Sequence, residues 1–112
     1  MLGIDFVSVH RIEKLSCREW YTAFWLHPTE LARLRSRPNV GESIAAAVSA
    51  KEAVMKASGG GFNQRVRPTD IQLEWSQSGS PSARFNGKRY LVSVTHSDGY
   101  AAAVAFEIGD IA

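Results

Sequence analysis

The sequence predicts an α+β fold: a single small domain over residues 1–112, with a mostly antiparallel β-sheet packed against helices. Three observations carry this expectation. The chain opens on an apolar run, MLGIDFVSV; its middle holds an alanine-rich stretch of strong helix formers; and from Thr69 onward short β-prone segments alternate with turn residues. A length of 112 residues allows a real hydrophobic core and leaves no room for two domains.

The elements follow in order. In the opening run, Leu2, Ile4, Phe6, Val7 and Val9 read as a strand covered on both faces. Arg11 to about Phe24 has helical character, and HPTELARLRSRPN reads as a short helix with Pro28 in its first turn and Pro38 ending the segment. GESIAAAVSAKEAVMKASGGGF is the clearest helix, with Gly59, Gly60 and Gly61 as its stop. The strands DIQLEW, SARF, RYLVSVTH and YAAAVAFEI are separated by QSGSP, NG and SDG, which makes the second half a β-meander.

Composition narrows the class of function. The chain is 45% hydrophobic and 21% charged, and no apolar run approaches the roughly 20 residues of a membrane helix. No basic segment followed by an apolar core and a small-residue cleavage site marks a secretory signal. The lone Cys17 has no internal disulfide partner, which agrees with the cytoplasm as the expected location. A net charge of +2, from 13 basic and 11 acidic residues, is too small to argue for a nucleic-acid partner.

Asp5 stands in the middle of the apolar strand. An ionised carboxylate taken out of water without a partner costs several kcal/mol, so it should be neutral, paired or metal-bound. On the long helix, Ile44, Val48 and Glu52 form an i, i+4 row, so a second carboxylate continues a line of apolar residues, and Lys56 extends it by a turn. Two such carboxylates suit a hard divalent cation such as Mg²⁺, which binds through one or two carboxylates and leaves its other positions to water and phosphates. Lys56 would then lie close to a bound phosphate. Plainer readings use the same residues: Glu52 and Lys56 as a solvated surface pair, and Asp5 as the end of a shorter strand or a cap for the next helix.

The stretch GIDFVSVHRI resembles the Gly-x-Asp-x-Val-x-x-x-Arg-Ile opening of the 4′-phosphopantetheinyl transferases, and VSAKEAVMKASGGGF resembles their Lys-Glu-Ala-x-x-Lys-Ala-x-Gly-x-Gly signature. DIQLEWSQSGSPSARF and VSVTHSDGYAAAVAFE are similar to the family's later strands and its histidine-bearing hairpin. Val7 stands where the larger two-lobed members carry a second acidic residue, so the chain looks like the short type. The resemblance implies the family's fold and its activity: transfer of the 4′-phosphopantetheine arm of coenzyme A to a serine of an apo acyl carrier protein, as in fatty acid biosynthesis, with release of adenosine 3′,5′-bisphosphate. It places the family's Mg²⁺ ligands on Asp5 and Glu52 and its phosphate-contacting lysine on Lys56. It also implies a homotrimer with active sites between subunits.

Further roles follow from the same resemblance. Glu52, or a metal-bound water that it orients, is the candidate base for the acceptor serine. Gly59 and Gly61 would let the backbone approach the coenzyme's phosphates, and His96 matches a coenzyme-binding residue. Arg11, Lys14 and Arg18, at i, i+3 and i+7, would dock the acidic helix of the carrier protein. The plain alternatives are a C-cap, a turn histidine and a solvated stripe.

One departure bears on the donor. Ala47-Val48 stands where many short members have Arg-Phe, which removes a cation near the expected nucleotide site; Arg35 or Arg37 is the candidate replacement. Two other functions stand beside the transferase, the first prompted by this departure and the second by setting the resemblance aside. One is a non-catalytic trimeric relative that binds carrier protein or nucleotide, and the other is a small α+β interaction domain with all its charges on the surface.

Overall fold

A computed structural model describes residues 1–59 and 66–111. Ser8 starts the first helix by accepting a hydrogen bond from Arg11 N at 3.2 Å, so strand β1 (Leu2–Ser8) runs directly into α1 (Val9–Ser16). Then come α2 (Glu19–Trp25), α3 (Pro28–Arg35), α4 (Val40–Ala57), a 3₁₀ turn at Pro68–Asp70, β2 (Gln72–Trp75), β3 (Pro81–Phe85), β4 (Lys88–Ser97) and β5 (Tyr100–Asp110). The expected helix over Arg11 to about Phe24 is broken at Cys17 and Arg18, where Arg18 takes an extended conformation as the N-cap of α2. The break lets α1 bury Val9 and Ile12 while α2 separately buries Tyr21, Thr22 and Trp25.

The sheet is antiparallel throughout, in the order β1-β5-β4-β3-β2. The meander of the second half is as expected, and β1 closes it by pairing with the last strand, Asp5 opposite Ala103. Two-residue turns set the hairpin registers: Asn86-Gly87 and Asp98-Gly99 all have positive φ, between 51° and 80°, which suits the right-handed twist of the flanking strands.

Helix α4 crosses the inner face of this sheet. Ala101, Ala103 and Ala105 on β5 are at most 1% exposed, so small side chains let the helix sit close. At Gly3 even a methyl group is excluded, because a Cβ there would lie 2.6 Å from Ala57 N and closer still to the Ala53 carbonyl oxygen. The fit holds β1 and α4 at near backbone contact two residues before Asp5.

The outer face differs from the expectation of a strand covered on both sides. Leu2, Ile4 and Phe6 are each more than 60% exposed, and with Leu91 and Phe106 they leave an apolar surface that none of the described elements covers. β1 is an edge strand with one buried face; its apolar residues alternate between the helix side and this bare side.

Candidate active site

Strand alternation turns Asp5 toward α4, where it is 7% exposed. On the helix, Ile44 and Val48 are buried and Glu52 is half-buried one turn further along the same row, as the spacing predicted. Lys56, the next member, donates to Ile4 O at 3.0 Å and to Asp5 Oδ1 at 3.2 Å. It is thus committed to the strand, and the plain reading of Glu52 and Lys56 as a solvated surface pair does not describe it.

Two features show that this cluster is incomplete electrostatically. Asp5 Oδ2 is buried without a hydrogen-bond partner. The Glu52 carboxyl is pushed up to about 7, chiefly by burial, then by the neighbouring Asp5 carboxylate, against the pull of Lys56 and Arg11. Adjacent carboxyls of this kind are relieved by a shared proton or a cation. Among the described residues no group of three or more His, Cys, Asp or Glu side chains gathers, so the donor set is two carboxylates. That set fits a hard cation completed by water and phosphate oxygens, and does not fit a metal that needs an all-protein cage.

Tyr21 belongs to the same neighbourhood and went unnoticed in the sequence. Its hydroxyl is pushed up to about 12, by burial first and then by the charge of Glu52, with Arg11 opposing. Within WYTAFW it has the spacing of an ordinary core aromatic, so only the tertiary fold, which brings Tyr21 within electrostatic reach of Glu52, reveals the relation. Arg11, exposed on α1, likewise lies within electrostatic reach of Glu52.

A cavity of about 360 Å³ opens on another side of α4. Leu34, Ala46, Ala47, Ala50, Leu73 and Trp75 line it, with Arg37 and His96 also in its wall. His96 Nδ1 lies 2.6 Å from Glu42 Oε2, at a ridge shared with a second hollow beside the β4–β5 turn. The structure distinguishes the two arginines raised by the sequence: Arg37 lines the cavity next to Ala47, and Arg35 does not.

The remaining expected residues divide. Arg11 and Lys14 are exposed on α1, but Arg18 caps α2, so the three do not form one helical stripe; the break after Ser16 is the reason. Gly59 ends α4 with φ of +88°, a conformation that favours glycine, whereas Gly60 and Gly61 lie outside the described residues.

A single antiparallel sheet crossed by one long helix is a fold shared with known proteins. The family model of the 4′-phosphopantetheinyl transferase superfamily matches residues 1–105, and the chain belongs to that superfamily. Its relatives are of the short type, the holo-[acyl-carrier-protein] synthases. The one from Campylobacter curvus is 36% identical over 115 residues, covering 94% of this chain and 97% of its own length. The one from Moorella thermoacetica is 35% identical, covering 92% of this chain and 89% of its own length. Among solved structures, the holo-[acyl-carrier-protein] synthase of Helicobacter pylori in complex with coenzyme A superposes with a TM-score of 0.85 at 27% identity, covering 96% of this chain and 99% of that one. The Bacillus anthracis enzyme, in complex with CoA (3′,5′-ADP), gives a TM-score of 0.84 at 27% identity, with 95% and 93% covered. No helix of the described residues is long and apolar enough to cross a membrane.

Proposed function

We propose that this protein transfers the 4′-phosphopantetheine arm of coenzyme A to a serine of an apo acyl carrier protein in a Mg²⁺-dependent reaction, releasing adenosine 3′,5′-bisphosphate. The observation that carries this is the Asp5–Glu52 carboxylate pair, with the buried, unpartnered Asp5 Oδ2 at its centre and Lys56 bonded to its edge. The superfamily membership and the coenzyme A complexes of the relatives support the donor.

In the reaction the serine oxygen forms a bond to the β-phosphorus of coenzyme A, and the bond from that phosphorus to the bridging oxygen breaks, so the bisphosphate leaves with the negative charge. Asp5 and Glu52 would hold the Mg²⁺, which when bound neutralises charge on the phosphate oxygens. Lys56, anchored by Ile4 O and Asp5, presents a fixed positive charge to the same phosphates. Glu52 is the candidate to take the serine's proton. Arg11, with Lys14 and Arg18, draws the acidic carrier protein toward this end of the molecule and mainly raises the on-rate.

The cavity beside Ala47 is assigned to the coenzyme's nucleotide, with Arg37 and His96 as its polar wall. Ala47 and Glu52 lie five residues apart, about 140° around the helix axis at 100° per residue, so cavity and carboxylates open on different faces of α4. That arrangement supports a homotrimer in which one chain's carboxylates meet a neighbour's cavity. The bare apolar face of β1, β4 and β5 supplies surface for such association. A cytoplasmic location, expected from the single Cys17, belongs to the same reading.

The test is intact-protein mass spectrometry of an apo acyl carrier protein incubated with this protein, coenzyme A and Mg²⁺. A gain of about 340 Da that disappears with EDTA is expected for one added arm. No gain with several carrier proteins, in the presence of bound coenzyme A, would count against transfer to them and favour another acceptor or the non-catalytic alternative.

A further inference from the structure

Lys51 and Glu30 form an ion pair that the reaction does not use. Their side chains are 0% and 6% exposed, and Lys51 Nζ donates to Glu30 Oε1 at 2.6 Å. The further bonds of the pair cap the start of α3 and reach two other segments. Glu30 Oε1 accepts from His27 N at 2.9 Å and Oε2 from Leu73 N at 2.8 Å, while Lys51 also donates to Pro68 O at 3.1 Å. One hub therefore ties α3, α4, β2 and the 3₁₀ turn together.

Stability alone is a poor reason for such a hub. Two charges removed from water lose several kcal/mol each, and well-packed apolar residues of similar volume often replace a buried pair without loss. What the pair supplies is direction, since charge-assisted hydrogen bonds fix angle and register where apolar side chains can slide.

The registers fixed here are those of the cavity. Leu34 lies one turn beyond Glu30 on the same face of α3, Ala47 one turn before Lys51 on the same face of α4, Ala50 next to Lys51, and Leu73 bears the amide that Glu30 holds; all four line the cavity. We propose that the Glu30–Lys51 pair is a positioning device that sets the shape of the nucleotide cavity. It acts through the wall residues and does not touch the ligand. This rests on the assignment of the cavity to the coenzyme's nucleotide, and the test has one arm that needs no ligand.

The experiment compares the full chain with Glu30→Leu/Lys51→Met and with Glu30→Gln. Thermal unfolding reports the fold, and methyl NMR of Leu34, Leu73 and Val94 reports the cavity walls in the free protein. Calorimetry with coenzyme A reports binding. The double variant should melt at or above the wild-type temperature, yet show shifted and broadened wall methyls and a Kd for coenzyme A raised about tenfold or more, the scale on which supporting groups act on a site. In turnover the change should fall on KM for coenzyme A more than on kcat. Wild-type methyl spectra in a folded double variant would overturn the proposal whatever the ligand. Should that variant not fold, Glu30→Gln decides, with wild-type spectra and affinity counting against the device. If wild-type protein itself fails to bind coenzyme A, the cavity assignment falls, and the methyl spectra still judge the hub.

Discussion

Gly3→Ala tests the contact on which the carboxylate pair depends. The new Cβ would sit 2.6 Å from Ala57 N and 3.0 Å from Ala53 C, where ordinary contact begins at 3.4 Å. Both are backbone atoms of α4, so no side chain can swing aside. Relief of the first contact alone needs 3.4 − 2.6 = 0.8 Å, and the nearer Ala53 carbonyl oxygen requires more. The helix must retreat by well over 1 Å, a strain typical of overpacking at about 1–3 kcal/mol, or roughly 4–8 °C in Tm for each kcal/mol. The retreat separates Glu52, beside Ala53, from Asp5, two residues beyond Gly3. Misplacement of reacting groups by 1 Å can reduce rate by about 100-fold, equivalent to about 2.7 kcal/mol in the transition state. The assay is steady-state transfer to apo carrier protein alongside a thermal melt. Gly41→Ala is the control, since the atoms nearest its Cβ, Glu13 Cγ and then Oε2 at 2.6 Å, belong to an exposed, flexible side chain that can swing aside, and it should change both readouts little. Wild-type rate and melting temperature in Gly3→Ala would refute the reasoning.

Asp5→Ala and Glu52→Ala should each abolish transfer while keeping the fold, because each removes one of two carboxylates; full activity in either at saturating substrates would remove the metal assignment. Glu52 also sets a pH dependence. Its folded value of about 7 lies above the ordinary 4.5, so the proton stabilises the metal-free fold fully below about 4.5 and the benefit is lost as pH rises through about 7. Mg²⁺ competes with that proton, so it should raise Tm more at about pH 8 than at about pH 5.5; equal shifts would contradict the assignment. Arg11→Glu should raise KM for the carrier protein more than KM for coenzyme A, and equal effects would argue against docking by α1.

Local signals made much of this legible. Asn86-Gly87 and Asp98-Gly99 announce their hairpins because positive φ is costly for most other residues, and the i, i+4 spacing of Ile44, Val48 and Glu52 is enough to turn a carboxylate toward the sheet. Asp5 was conspicuous because its neighbours are apolar. The rest was hidden by distance along the chain. Nothing near Glu42 names His96 as its partner, nor does anything near Glu30 name Lys51 or Leu73. The apolar residues on both faces of β1 look the same whether the second face meets a layer of this chain or stands bare. The helix break at Cys17 carries neither proline nor glycine, and it separates the residues that α1 buries, Val9 and Ile12, from those that α2 buries, Tyr21, Thr22 and Trp25.

The pairing of β1 with β5 has a consequence for how the molecule comes into being. Asp5 finds its cross-strand neighbour at Ala103, 98 positions along the chain. At about 5–20 residues per second, a ribosome takes roughly 5–20 s to supply that partner after Asp5 is made. Throughout that interval an apolar strand waits with both backbone edges open, exposed to mispairing. Among the described strands β5 is the only one that pairs with β1, so the sheet edge that carries Asp5 stays unpaired until β5 has been made.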